Sequence, residues 1–303
     1  MHAKKLSDCA GTAAAKPPAR LLRRPACVAR TRYISGVRNN QDSGNFFDIF
    51  KMKGIGIYIA ALMAFVACES GLFGEKGNGV SVTREIEVGE FSRIDVPDFV
   101  DVRYTQTTDG QSVTLTCDGN LTEHFAITVK GGTLVVATKP SHSLITKTDT
   151  YVTVCSPVLT GIDLSGSGDI YVNGPLSVEG DFSADLSGSG DLKVDGHITA
   201  ESISIQLSGS GDASVAGITA ADAEFETSGS GDINARPVTA EKVYVSSSGS
   251  GDCTLGLKDS GSLDIQLSGS GDVTLSGTAR AIISISQTGS GDFDMRGLSL
   301  SGI

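Results

Sequence analysis

Tryptophan is absent from this 303-residue chain, and proline and histidine are scarce, at 8 and 4 residues. Without tryptophan there are no indole platforms, the large flat surfaces on which sugar rings commonly stack. With so few prolines and 39% hydrophobic residues the composition fits neither a polyproline rod nor a disordered chain. The histidines of the acidic part, His124, His142 and His197, are scattered and have no zinc-ligand or triad spacing. No apolar run reaches the roughly 18 residues that suggest a membrane-spanning helix. Basic charge is also missing from most of the chain. Residues 68–303 hold 13 Lys+Arg against 32 Asp+Glu, a net −19, whereas residues 1–67 hold 11 against 3. A part that acidic repels nucleic acid and anionic membrane surfaces, so nucleic-acid binding is excluded as an expectation.

The front end reads as an export signal. The run GIGIYIAALMAFVA over residues 54–67 follows Lys51 and Lys53 and has the length of a signal-peptide core. It ends in Phe65-Val66-Ala67-Cys68, which resembles a bacterial lipobox, although that pattern prefers Leu where Phe65 stands. The resemblance implies acylation of Cys68 and a membrane contact made through that lipid anchor. Residues 52–67 are therefore expected to be a lipoprotein signal peptide. Residues 1–51 are either a leader ahead of the true start at Met52 or a disordered extension. Residues 68–80, rich in glycine, read as a flexible tether.

What is abundant is glycine, 38 residues of it, and much of it recurs in a pattern. The motif Ser/Thr-Gly-Ser-Gly-Asp ends at Asp169, Asp191, Asp212, Asp232, Asp252, Asp272 and Asp292, at intervals of 22, 21 and then 20 residues. Apolar side chains keep fixed offsets from each Asp. Seven residues before it stand Ile162, Ala184, Ile205, Phe225, Val245, Ile265 and Ile285. One and three residues after it the positions are apolar again, from Ile170 and Val172 to Phe293 and Met295. Alternation with period two places one face inward, and a unit of about 20 residues buries that face only by stacking on its neighbours. The expected fold is all-β, a parallel β-helix of seven coils over residues 161–303. At the corner, glycine is expected to supply backbone with φ > 0, and each Asp to cap turn N–H groups. Stacked carboxylates repel by about 1 kcal/mol per neighbouring pair even in water. The alternative role for the Asp ladder is therefore a bound cation such as calcium.

Residues 81–160 lack the motif but alternate in the same way, with a hairpin signal at Gly131-Gly132, and read as an irregular β-rich N-terminal cap with the first coils. The runs FSRIDVPDFVDVRYTQ, GGTLVV and YVTVCSPVLTGIDLSGSGD, with the serial GSGD corners, resemble the auto-transporter adhesin head GIN domain family of Bacteroidetes envelope proteins. The resemblance covers residues 84–303. It implies a right-handed parallel β-helix and an extracytoplasmic location, and brings no catalytic residues with it.

Three functions follow as expectations. The first is a non-catalytic, lipid-anchored binding or adhesion module whose polar acidic face meets a glycan or another envelope protein. The second is a structural scaffold that self-associates end to end into a homo-oligomer, because no polar cap follows the last coil. The third, a polysaccharide-active enzyme, needs a cleft whose carboxylates depart from the repeat. Tyr171, two residues after its Asp, is a candidate stacking surface. Cys253 falls in an inward column and reads as core, while Cys117 and Cys155 could form a disulfide. The expected location is the outer membrane, facing either side.

Overall fold

The computed structural model describes residues 74–140 and 143–302. The extension 1–51, the signal segment 52–67, Cys68 and residues 69–73 of the expected tether lie outside the described residues. No helix among the described residues is long and apolar enough to cross a membrane. The described chain is a β-solenoid whose only helical element is the 3-10 turn Thr122–His124.

The N-terminal part supplies β1 (Glu75–Lys76), β2 (Ser81–Glu85), β3 (Arg93–Val96), β4 (Asp101–Gln106) and β5 (Ser112–Asp118). It continues with β6 (Phe125–Lys130), β7 (Thr133–Thr138), β8 (Leu144–Ile145) and β9 (Tyr151–Ser156). Here spatial order departs from chain order. β7 and β9 run parallel beneath β3 and β4, and the first repeat strands, β10 (Gly161–Leu164) and β11 (Ile170–Asn173), stack on β3 and β4 from the other side. Antiparallel strands close this end: β6 pairs with β7 through the Gly131-Gly132 hairpin, and β5 pairs with β9 and β2. Both hairpin glycines have positive φ, 57° and 80°, which side chains adopt only with strain. Residues 74–80, the remainder of the expected tether, are held against this cap. β1 pairs with β8, and the fully buried carboxylate of Asp118 accepts the N–H groups of Gly79, Lys147 and Thr148. Burial pushes the Asp118 carboxyl upward, but those donors outweigh it and leave it below its ordinary value.

Above this base the coils are regular. β12 (Leu176–Ser177), β13 (Asp181–Leu186), β14 (Leu192–Val194), β15 (Ile198–Thr199), β16 (Ser202–Leu207) and β17 (Ala213–Val215) are short. The later strands, β18 (Ile218–Thr227), β19 (Ile233–Ser247), β20 (Cys253–Leu267), β21 (Val273–Gln287) and β22 (Phe293–Leu300), run on through a bend. Every repeat strand pairs in parallel with the equivalent strand one coil away, giving three faces. The five-residue corner joins the first face, β10–β13–β16, to the second, β11–β14–β17.

The expected inward columns are buried. From Ile94 through Ile265, the residues seven before each corner Asp are at most 1% exposed. Parallel stacking at a constant spacing demands a constant coil cross-section, and the side chains compensate accordingly. Phe182 with Ala184, Ile203 with Ile205, Ala223 with Phe225 and Val243 with Val245 are the inward pairs of four successive coils, and a large residue is balanced by a small one. Cys253 lies in such a column, fully buried, with burial pushing its thiol up to about 12.

The glycines of the corner have a different cause from the one expected. None has a positive φ. Instead a Cβ on either glycine would collide with backbone of the coil before it: on Gly188 with the carbonyl of Gly166, on Gly209 with that of Gly188, on Gly211 with that of Gly190, and so on to Gly291. That carbonyl is also an acceptor, taking the N–H of the central Ser one coil on, as Ser189 to Gly166 at 2.9 Å and Ser210 to Gly188 at 2.9 Å. The corners are thus hydrogen-bonded at backbone contact distance, and any side chain on the underside would wedge them apart.

Two outcomes are expected in urea unfolding. Gly209→Ala should destabilise by at least about 2 kcal/mol through overpacking against backbone, whereas Ser208→Ala, exposed beside it, should stay within about 0.5 kcal/mol. Phe225→Ala should cost about 3–5 kcal/mol. Adding Ala223→Phe, which recreates the Phe182/Ala184 order, should recover more than half of it, and failure to recover would refute the balanced cross-section.

Candidate functional site

The structure brings the seven motif aspartates together in one column and adds an eighth at its base. The N–H of each Asp donates to Oδ1 of the Asp one coil before: Asp191 to Asp169 at 2.9 Å, Asp212 to Asp191 at 2.8 Å, Asp232 to Asp212 at 2.8 Å, Asp252 to Asp232 at 2.7 Å, Asp272 to Asp252 and Asp292 to Asp272 at 2.8 Å. Asp169 donates in the same way to Asp101, at 3.0 Å. Each carboxylate from Asp101 to Asp272 therefore satisfies a corner N–H that has no partner in the sheet ladders, while its second oxygen is left for solvent at the exposed positions. At the base Tyr171 donates to the second oxygen of Asp169 at 3.0 Å, and its hydroxyl is pushed up to about 12, by burial first and then by that bond. Tyr171 lies between Arg103 and Lys193 on the outer side of the second face. Among the described residues no group of three or more His, Cys, Asp or Glu is disposed to hold a metal ion.

Asp101 was not identified from the motif because its corner, Pro97-Asp98-Phe99-Val100-Asp101, contains no glycine. The signal was nevertheless present in the apolar offsets: Ile94 seven before, Val102 one after and Tyr104 three after, all buried. Its corner lies lowest in the stacked series, so its residues need no clearance beneath; Asp98 instead sends its carboxylate to the hydroxyl and N–H of Thr138. The glycines directly above it, Gly166 and Gly168, do need the clearance, against the backbone of Asp98 and Val100.

A concave feature runs along the first face beside the corner. It is a groove of about 170 Å³, parallel to the solenoid axis. One wall is the outward column Asp185, Gln206, Glu226 and Ser246; the other is Ser187, Ser208, Ser228 and Ser248. Register pairing places Asp185 beside Gln206 and Gln206 beside Glu226, so polar groups recur at the interstrand spacing of about 4.8 Å. Unlike the corner Asp, this outward column varies from coil to coil, so its carboxylates do depart from the repeat. Asp185 and Glu226 lie two coils apart. Behind the groove the inward leucine column, Leu164, Leu186 and Leu207, gives way to Thr227 and Ser247, which are buried and whose hydroxyls have no hydrogen-bond partner. A buried hydroxyl left unpaired costs about 1–3 kcal/mol, so the core is locally suboptimal at this point.

At its N-terminal end the groove meets a stack of carboxylates, Asp95, Asp163 and Asp185, on adjacent coils. Arg93 neutralises it. The guanidinium lies over Gly161, where a Cβ would collide with it, and reaches Asp163 at 3.1 Å, Ser183 at 3.1 Å and Asp185 at 3.9 Å. Burial, then the neighbouring Asp163, raises the carboxyls of Asp95 and Asp185 above the ordinary value, with Arg93 pulling Asp185 back.

The pairing of Cys117 with Cys155, which the sequence left open, is not formed: Cys117 is a free buried thiol, pushed up to about 11 by burial and then by Asp118. The two lie on adjacent antiparallel strands, but Cys155 faces Ser112 and Cys117 faces Val82 in the registers.

The model of the family described as "Putative auto-transporter adhesin, head GIN domain" matches residues 90–279. The chain belongs to the head GIN domain family. The curated proteins include no match to this head GIN protein. Among solved structures it is similar to a putative adhesin from Bacteroides fragilis NCTC 9343, 29% identical, covering 73% of this chain and 99% of that one with a TM-score of 0.67. A putative adhesin from Parabacteroides distasonis ATCC 8503 is 22% identical, covering 72% and 98%, with a TM-score of 0.62. A protein from the same strain named a putative lipid binding protein is 24% identical, covering 72% and 98%, with a TM-score of 0.58. The last two share the fold.

The role of the Asp column is separable from its charge. Asp212→Ala removes the acceptor of the Asp232 N–H and should cost about 1 kcal/mol. Asp212→Asn keeps an oxygen there and relieves the stacked charges, so it should be at least as stable as the native chain in thermal unfolding. Added salt should stabilise the native chain more than Asp212→Asn.

Proposed function

We propose that this head GIN protein is a non-catalytic adhesion module of the bacterial cell envelope, held by a lipid at Cys68, and that the groove from Asp185 to Ser246 binds an extended glycan. The observation that carries this reading is the groove itself. It offers carboxylate, amide and hydroxyl groups at a one-coil repeat, which suits a polymer whose hydroxyls also recur along its length. Carboxylates at two of the four outward positions accept bonds from sugar hydroxyls and repel uronate or phosphate groups, so a neutral polysaccharide fits better than an acidic one. Leu186 and Leu207 also line the groove, but an acyl chain would leave the carboxylates, amide and hydroxyls of its walls without hydrogen-bond partners, so a glycan suits it better. Family membership supports the adhesin class, and the acidic composition of residues 68–303 supports a role away from anionic surfaces.

Hydrolysis is the competing reading, because Asp185 and Glu226 are separated by two coils, about 9.6 Å at the sheet spacing, and inverting glycosidases place their carboxyls about 6.5–9.5 Å apart. The open groove and the salt bridge from Arg93 to the Asp185 side favour binding without cleavage.

A polysaccharide array, followed by titration of any binder, tests both. Binding to neutral chains is expected, weakened at least about tenfold by Glu226→Ala, the loss of one hydrogen bond to a charged group, with no reducing ends released. Absence of binding across neutral chains would overturn the proposal. Release of reducing ends that stops in Glu226→Gln would replace it with an enzyme.

A further inference from the structure

On the side of the groove away from the corner stands an aromatic residue that the stacking does not demand. Tyr244 lies two residues before Ser246 on β19, on the same outward side of the first face and about 6.6 Å along the strand. Its column, followed through the register, is Ser183, Ser204, Glu224, Tyr244, Asp264 and Ser284. Serine fills the same place in three of these coils, so the fold forms there without a ring. The inward residues on either side, Val243 and Val245, are buried, while Tyr244 is half-exposed beside the end of the groove that Glu226 and Ser246 line.

The other described tyrosines are already engaged. Tyr104 is fully buried with its hydroxyl on Ser156, and the guanidinium of Arg103 lies over the ring of Tyr151, 3.8 Å from its centroid. Tyr171, the stacking candidate of the sequence, is tied to Asp169 at 3.0 Å. Of the four, Tyr244 alone has a side chain with neither a hydrogen bond nor a ring contact. The cation two residues before it, Lys242, is drawn to Asp222 at 3.0 Å.

A free phenol ring with carboxylates and hydroxyls around it matches a pyranose. A pyranose chair with equatorial hydroxyls has an apolar face of axial C–H bonds and a hydroxylated rim. An aromatic ring takes up the apolar face through dispersion and loss of water contact. Glu224 and Glu226 accept hydrogen bonds from the rim, and Ser246 can donate or accept. A furanose has comparable hydroxyls but no flat C–H face of this kind.

We propose that Tyr244 is the stacking platform of the groove and makes it select neutral pyranose polymers over furanose polymers. The inference deepens the glycan-binding reading and rests on it. The groove walls hold hydroxyls, and Tyr244 decides which kind of ring is held.

The test is calorimetric titration of the full chain, in a non-ionic detergent without a sugar headgroup, against laminarin, galactomannan and dextran, with inulin as the furanose polymer. At least one of the three pyranose polymers should bind, at least about tenfold tighter than inulin. Tyr244→Ala should weaken that binding about tenfold, whereas Tyr244→Phe, which keeps the ring, should stay within about twofold. Unchanged thermal midpoints show that the fold is kept. Because the chain lacks tryptophan, its emission comes from tyrosine. A change in that emission on binding should be lost in Tyr244→Phe. Binding that Glu226→Ala weakens but Tyr244→Ala leaves unchanged would sink the platform and spare the groove. A Phe variant as weak as the Ala variant would replace stacking with a hydroxyl contact, and equal binding of inulin would remove the selection. Failure of all three pyranose polymers to bind would overturn the glycan-binding reading and the platform together.

Discussion

In-register stacking at a fixed spacing governs this molecule, and it acts most severely at the corner, where backbone of one coil lies against backbone of the next. Along a strand the spacing is set by the ladder hydrogen bonds, and side chains stand perpendicular to it without interference. At the corner the chain turns and its Cβ vectors point along the stack instead. The position before each motif Asp is therefore glycine in every coil from Gly168 to Gly291, and the place where its Cβ would be is occupied by a carbonyl oxygen. The same closeness lets the Asp carboxylate reach the N–H of the next coil, so the corner is both the tightest point of the stack and the point where it is stitched.

That stitching sets charge against hydrogen bonding. Like charges one coil apart repel, and the bond each carboxylate makes to a backbone N–H offsets this locally. Exposure and salt screen the repulsion but leave the bond directional. Where carboxylates stack without such donors, at Asp95, Asp163 and Asp185, the structure brings in Arg93 over a glycine instead. The two acidic columns thus reach the same end by different means, backbone amides in one and a guanidinium in the other.

Function follows from which positions the stacking leaves free. Packing holds the inward columns apolar and of constant summed size and fixes the corner glycines, so most polar variation falls on the outward columns, and it is there that the groove between Asp185 and Ser246 acquires its lining. Thr227 and Ser247 behind it are the exception, inward residues that break the leucine column with hydroxyls left unpaired. Proteins depart from good packing most often where something other than stability is selected.

The sequence alone determined the fold class, the period, the inward columns and the glycine positions, because a repeat writes its contacts many times over and each copy averages out local ambiguity. It also held the offsets that mark Asp101 as the base of the ladder, though the missing glycines hid them. What only the tertiary structure decided were matters of contact between distant segments. These include the clearance that glycine supplies in place of a positive φ, the stacking of β7 and β9 beneath strands that precede them in the chain, the free state of Cys117, and the groove itself. Each depends on residues 20 to 90 positions apart meeting in space, as Arg93 meets Ser183, and a periodic pattern records that like faces like without recording what lies between.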